Sequence, residues 1–310
     1  MKKILLLLLA WPLLLYAACP EVPQATPAQL QQWAAAAPDR GVLWRITRDG
    51  HSSYLYGTLH VGQASWFYPG PALKQAWTQT DTVALELDLS DPATLLALRD
   101  APGFEPGPEL QARLSEQVRA FCLPQAALAG MNPLLVVDSL SGLAAVAEGF
   151  DADHGQDMLL LSMALHESRP VVGLETAAMQ LAALIPSDPK AAADDLDDGL
   201  KELENGSARR SLLLLAAAWN RGDLATLSHI ERWCECLVDG QPDPQTVEQL
   251  RRINDLRNPH LALRISELHA SGKRLLIGVG ALHMTGPQAL PVLLRGMGFT
   301  VERVVPAPKR

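Results

Sequence analysis

Several familiar catalytic signatures are missing from these 310 residues. There is no His-Glu-x-x-His, so the chain is not a zincin. Gly-x-Ser-x-Gly, the P-loop and Gly-x-Gly-x-x-Gly are absent too, which removes the usual support for serine hydrolase, nucleoside-triphosphatase and dinucleotide-dependent classes. Beyond the amino terminus no apolar run approaches the roughly 20 residues that a membrane span requires. An excess of basic charge is lacking as well: the formal net charge is −8, which argues against a nucleic-acid partner. No low-complexity tract or coiled-coil repeat interrupts the chain. Cysteines number only four, so a core rather than a dense disulfide framework must hold the fold, and the length is ample for one.

The amino terminus carries what these absences leave room for. Met1-Lys2-Lys3, the apolar stretch Ile4 to Leu15 and then Tyr16-Ala17-Ala18 have the basic, apolar, small-residue order of a secretory signal. Residues 1–18 are read as that signal, which places the mature protein in the periplasm or outside the cell, with no stable membrane span after cleavage. Loss of Lys2 and Lys3 takes the net charge to −10. A lipoprotein reading of Cys19 is weaker, because Leu15 lies one place too early for a typical lipobox. In an oxidising compartment Cys19, Cys122, Cys234 and Cys236 are expected as disulfides rather than metal ligands or nucleophiles. Sequence leaves all three pairings open.

Residues 19–40 read as a linker with a short helix opened by Thr26-Pro27, and 41–310 as a single domain. Leu43 to Arg48 and Ser52 to Tyr56 flank Asp49-Gly50, a hairpin signal. Thr82 to Leu89 alternates as a strand, with Ala84, Glu86 and Asp88 on one face. Helical periodicity dominates about 109–255, including Gln156 to Glu167, Asp223 to Glu235 and Pro244 to Asp255. A short strand at Val171 to Leu174 interrupts it. Strands return at Arg274 to Val279 and Phe299 to Val304. The expected class is α/β, with α+β as the alternative: a central sheet formed by the two ends of the chain, with a large helical lobe inserted.

Two copies of Gly-x-x-His, Gly57 to His60 and Gly280 to His283, each follow a strand. A glycine there lets the backbone turn sharply and sets a histidine at the strand's carboxyl end, where α/β sheets place ligands. Glu86 interrupts an apolar run, and Glu175 ends another. Two imidazoles and two carboxylates suit a divalent ion such as zinc, manganese, cobalt or iron, which can activate water while an unligated carboxylate acts as base. Each residue alone has a plainer reading: a capped strand end for either histidine, an edge strand for Glu86, a helix-start carboxylate for Glu175. Asp157 opens a helix, where it could cap or face a cleft. His51 is expected in solvent near the hairpin turn, and His166, His229 and His269 on helices among polar neighbours.

At these residues the chain resembles the TraB/GumN (TraB/PrgY/GumN) family, whose animal relatives include the Tiki proteins. The matching segments are Tyr54 to Gly62; Leu85-Glu86-Leu87-Asp88-Leu89-Ser90-Asp91-Pro92; Gly173-Leu174-Glu175-Thr176 with Gln180; Arg257-Asn258-Pro259; and Val279 to Gly286, followed by Gly298-Phe299-Thr300-Val301. The resemblance implies two related halves, each giving a Gly-x-x-His and a carboxylate to a central cleft. In Tiki-like members it implies metal-dependent proteolysis, with His60, His283 and Glu86 as key residues. Glu175 then enters as a ligand or positioning group, and Arg257 as a carboxylate or oxyanion partner, or simply a helix cap. The expected function is an exported metal-dependent hydrolase using manganese, cobalt or zinc on a peptide or protein substrate. The alternatives are a non-enzymatic module that sequesters a peptide or other ligand in the same cleft, and metal-free hydrolysis by a His/Glu pair.

Overall fold

Asp49 and Gly50 both take positive φ, 53° and 79°, the backbone of a two-residue hairpin turn whose twist matches its flanking strands. They join β1 (Val42–Arg48) to β2 (His51–Thr58). The computed structural model describes residue 19, residues 22–128 and residues 130–304; the signal expected at 1–18 lies outside them. Four further strands complete the main sheet: β3 (Thr82–Leu85), β4 (Val171–Gly173), β5 (Leu275–Gly280) and β6 (Thr300–Arg303). The order is β6-β1-β2-β5-β3-β4. Neighbours from β2 to β4 run parallel, while β1 is antiparallel to both β2 and β6. The molecule is a mixed α/β protein, and both ends of the chain meet in its six-stranded sheet.

Both faces of the sheet are covered, which is why Leu275-Leu276-Ile277 reads as an unbroken apolar run rather than an alternating one. Leu55, Ala84, Ile277 and Val279 pack under the helices Asn258–Ala270 and Leu290–Gly296. On the other face Tyr54, Tyr56, Leu85 and Leu276 meet Leu160 and Trp219 of the helices Gln156–His166 and Ser207–Asn220. A third core joins the helices Pro108–Ala120, Pro133–Leu143 and Pro189–Asn205. That lobe has its own apolar interior, although β4 and the Gln156–His166 helix return from the same stretch to the sheet.

Three expected elements differ. The strand begun at Thr82 ends at Leu85, because Asp88 Oδ1 accepts from the amide and hydroxyl of Ser90 and turns the chain. Asp88 therefore does not share a strand face with Glu86. Asp223 to Glu235 is not one helix: His229 is extended, and Leu224–Leu227 is separated from a 3-10 turn at Ile230–Arg232. Trp233 is thereby buried and donates to the Leu227 carbonyl. Pro244–Leu250 continues as a π-helix over Arg251–Asp255.

Cys19 bonds to Cys122 and Cys234 to Cys236, one of the three open pairings. Among the described residues no cysteine is free, a pattern that suits an oxidising compartment. A Cys19 thiol held in that bond cannot also carry a lipid thioether. Among the described residues no helix is long and apolar enough to cross a membrane.

His269, expected among polar neighbours on a helix, is instead fully buried. Its Nδ1 pairs with Ser53 Oγ and its Nε2 with the Arg48 carbonyl, and His51 stacks on it at 3.8 Å between ring centroids. The Arg48 carbonyl can only accept, so Nε2 carries the proton, and in the neutral ring Nδ1 accepts from the Ser53 hydroxyl, whose oxygen in turn accepts from the Leu275 amide. Burial lowers the His269 pKa, with the Arg48 carbonyl opposing. The unfolded chain thus takes up a proton that the native state resists. Stability should be full above the unfolded histidine pKa of about 6.5 and fall as the pH drops below it. Urea midpoints at pH 7.5 and pH 5 should separate more in the native protein than in His269→Gln; equal separations would remove His269 as the cause.

Candidate active site

The two Gly-x-x-His segments leave the same end of the sheet because β2 and β5 are adjacent and parallel, with Thr58 opposite Gly280. Neither motif glycine takes positive φ, so the expected sharp turn is not what glycine supplies. It supplies room. A Cβ at Gly57 would lie 2.7 Å from Val42 Cγ2 and 3.1 Å from Ala281 Cα, so a side chain there would push the second motif away. At Gly280 the amide donates to Glu86 Oε1 at 2.7 Å, and a Cβ would meet that oxygen only at an ordinary contact distance of 3.4 Å, so the demand for room is confined to Gly57.

A cavity of about 490 Å³ opens at this sheet end, lined by His60, Glu86, Arg257 and His283 together with Asp157 and Gln180. Glu86 lies one residue beyond β3 rather than on the strand, and is buried. Its Oε2 accepts from Arg257 Nη2 at 2.5 Å and Gln180 Nε2 at 3.1 Å. Glu175, whose side chain is the more enclosed of the two, gives both oxygens to the same guanidinium. Arg257 is thus the shared partner of two carboxylates. It stands at the start of the Asn258–Ala270 helix but makes no side-chain cap there. The π-turn before it contributes Ile253 and Asn254 to the cavity wall, and the Ile253 carbonyl accepts from Arg257 Nη1. Such wide turns recur at functional sites.

Each histidine has its own orienting partner. His283 is buried, and its Nδ1 lies 2.6 Å from Asn258 Oδ1. A carbonyl oxygen can only accept, so Nδ1 carries the proton and Nε2 has a free lone pair, 3.8 Å from Glu86 Oε1. His60 is 67% exposed, into the cavity, with Nδ1 3.4 Å from Asp157 Oδ1. The Gln156 amide donates to the Leu59 carbonyl, and that bond seats the helix start carrying Asp157 beside His60. Of the two readings of Asp157, the cleft-facing one matches its position.

Charges follow from these contacts. Burial drives His283 down to about 4, with Glu86 opposing, so it is neutral near pH 7. Asp157, the largest influence, raises His60 to about 9, with Glu86 adding to it and Arg257 opposing. Burial would also push Glu86 up, but His283, His60 and Arg257 with the Gly280 amide hold it well below the usual carboxylate range. Because His283 is itself neutral near pH 7, the protonated His60, Arg257 and the Gly280 amide keep Glu86 ionised. Burial disfavours the Arg257 cation, yet Glu175 and Glu86 hold its pKa above normal.

The donor chemistry fits a divalent ion at His283 and Glu86: two lone-pair donors face one another with no proton between them, and Asn258 fixes the required tautomer. His60 is the third donor of suitable type. Among the described residues no three such side chains are already gathered closely enough to hold an ion; His60 is the least enclosed of the three. Glu175 is different, because Arg257 occupies both its oxygens, which suits the positioning role. Asn258 and Gln180 belonged to the sequence motifs without a stated role.

The chain matches the TraB/PrgY/gumN family over residues 42–303, from the start of β1 to the end of β6. It belongs to that family. Relatives include the protein named metalloprotease TIKI1, 41% identical over 70 residues in Danio rerio and 38% identical over 77 residues in Homo sapiens. Those matches cover 22% and 24% of this chain and only 14% and 15% of the relatives, so the chain spans a small part of their length. An uncharacterized protein, YbaP of Shigella flexneri, is 26% identical over 261 residues, covering 81% of this chain and 90% of that protein. No solved structure matches. The family assignment thus covers the sheet and cavity, whereas the named metalloproteases are similar over a short stretch.

Proposed function

We propose that this family member is an exported, metal-dependent hydrolase of the peptidase kind, working in the periplasm or outside the cell with His60, Glu86 and His283 at its centre. The supporting observation is the facing pair of a neutral His283 and an ionised Glu86 at the floor of an open cavity. The relatives named metalloproteases favour the same reading. In this reading the two Gly-x-x-His motifs are the corresponding elements of two related halves.

His283, held by Asn258, presents Nε2; Glu86 presents Oε1 while Arg257 and Gln180 restrain its other oxygen; His60 rotates from Asp157 to complete the set. A divalent ion bound by them supplies Lewis acidity toward a carbonyl oxygen and toward water. Where His60 and His283 alone would hold the ion, Oε1 of the unligated Glu86 is instead the base that takes a proton from the attacking water, and the Arg257 cation beside it stabilises negative charge as it forms. Ligation requires His60 to give up its proton, so metal affinity should weaken as the pH falls.

Calorimetry of chelator-treated protein with manganese, cobalt and zinc tests the reading. At least one ion should bind, and His60→Ala and His283→Ala, which remove ligands themselves, should each weaken it by more than the roughly 10- to 100-fold that loss of an outer-shell partner costs, with circular dichroism unchanged. Absence of binding by all three ions, or undiminished binding in both variants, would sink the metal assignment.

A further inference from the structure

Asp138 lies on the Pro133–Leu143 helix, whose Val136, Val137 and Leu140 are buried in the core of the helical lobe. Its carboxylate lines the same cavity as His60, Glu86 and His283. Much of the wall of that cavity is aliphatic, with Leu89, Leu98, Leu161, Leu184, Leu215 and Ile253 among its lining residues. Asp138 is exposed to the open cavity, so water reaches its carboxylate there; a ligand that displaces this water from beside the aliphatic wall must bring a cation to offset the lost hydration. The protein supplies none in contact. Arg252, the nearby cation, is committed to Asp195 at 2.6 Å and to the Ala183 carbonyl at 2.8 Å, and among the described residues Asp138 forms no ion pair. Although water reaches it, the protein enclosing the cavity, then Asp195 and Glu202, pushes its carboxyl up to about 6, with Arg252 partly offsetting. An incoming cation would reverse that unfavourable setting.

We propose that Asp138 docks a primary ammonium group of the substrate, from a peptide amino terminus or a lysine side chain, while an aliphatic residue beside it lies on the leucine wall. The proposal rests on the peptidase reading and specifies its substrate class. Charge complementarity selects the ammonium; the aliphatic surface selects the adjoining side chain and excludes water, which strengthens the ion pair. The cavity volume falls within the range of sites that enclose ligands of a few residues. Asp138 is assigned to binding and not to bond cleavage. It binds a different part of the substrate from the His60, Glu86 and His283 cluster, so recognition can be read separately from turnover.

The test uses the mature wild-type protein, chelator-treated so that no turnover intervenes, titrated in a calorimeter at pH 7.5. The probes are a leucine-rich tetrapeptide amide with a free amino terminus, its N-acetyl form, and an N-acetyl form beginning with lysine. The free-amine peptide should bind roughly tenfold more tightly than the acetylated one, a change of about 1.4 kcal/mol. Recovery by the lysine peptide shows that either ammonium serves; no recovery identifies the amino terminus. Asp138→Asn should bring the three affinities together. Equal wild-type affinities, a preference that survives in Asp138→Asn, or no binding of any peptide would overturn the inference. If the Asp138-dependent preference appears but metal addition never yields cleavage, recognition stands and the hydrolase reading fails. Cleavage without the preference has the opposite meaning.

Discussion

Glu86→Gln should reduce kcat/KM for a cleavable peptide by about 10²- to 10⁴-fold, the range for loss of a positioned acid–base group. The shape is nearly preserved, but the charge is not. In the native site Oε1 accepts from the Gly280 amide while Oε2 accepts from Arg257 and Gln180. A carboxamide has only one acceptor oxygen, so whichever way it is placed its nitrogen faces a donor. It can neither take a proton from water nor face the His283 Nε2 lone pair as an anion. Asp88→Asn is the matched control, because Asp88 is occupied with Ser90 in a turn, and its activity should remain within a few-fold of the native value. A substrate cleaved equally well by native protein and Glu86→Gln would end the proposed mechanism while leaving the fold and family untouched.

Arg257→Leu should give the largest stability loss, about 3–5 kcal/mol, as expected when one member of a buried ion-pair group is removed. Glu86 and Glu175 are both buried, with side-chain exposures of 8% and 1%, and both are bound to this guanidinium at 2.5 Å. Leucine fills part of the volume but leaves two carboxylates without their cation. Adding Glu175→Gln to Arg257→Leu should recover part of the loss, since one of the stranded charges is then gone. Urea denaturation followed by circular dichroism measures both effects. An Arg257→Leu protein within about 1 kcal/mol of native stability, or a double variant less stable than the single one, would contradict the shared-partner arrangement.

The local chemistry of the site was readable from the residue order. Asp49-Gly50 specifies its hairpin through backbone preference alone, and two Gly-x-x-His segments after strand-like runs mark where the chain leaves a sheet. Glu86 stands out because an apolar run tolerates a carboxylate only for a reason. Extending that strand to Asp88 failed because alternation continued in the sequence after the Asp88–Ser90 turn had ended it in space. Fully buried His269 was misread because the residues flanking it along the helix are polar, while burial depends on Ser53 and Arg48, more than two hundred positions away.

Tertiary structure decided which groups meet. The parallel pairing of β2 with β5 sets His60 and His283 on one sheet end, and no local signal specifies which strands become neighbours. Arg257 reaches Glu86 across 171 positions and Glu175 across 82. Asp157, Asn258 and Gln180 acquire their roles only when separate elements dock, and Asp138 faces the same cavity only because the helical lobe packs over the sheet. Sequence by itself determined most element types, the hairpin and the donor residues, since these depend on backbone preference and side-chain chemistry. The protonation states and the cavity belong to the fold, since burial and charge proximity exist only once distant segments are in contact.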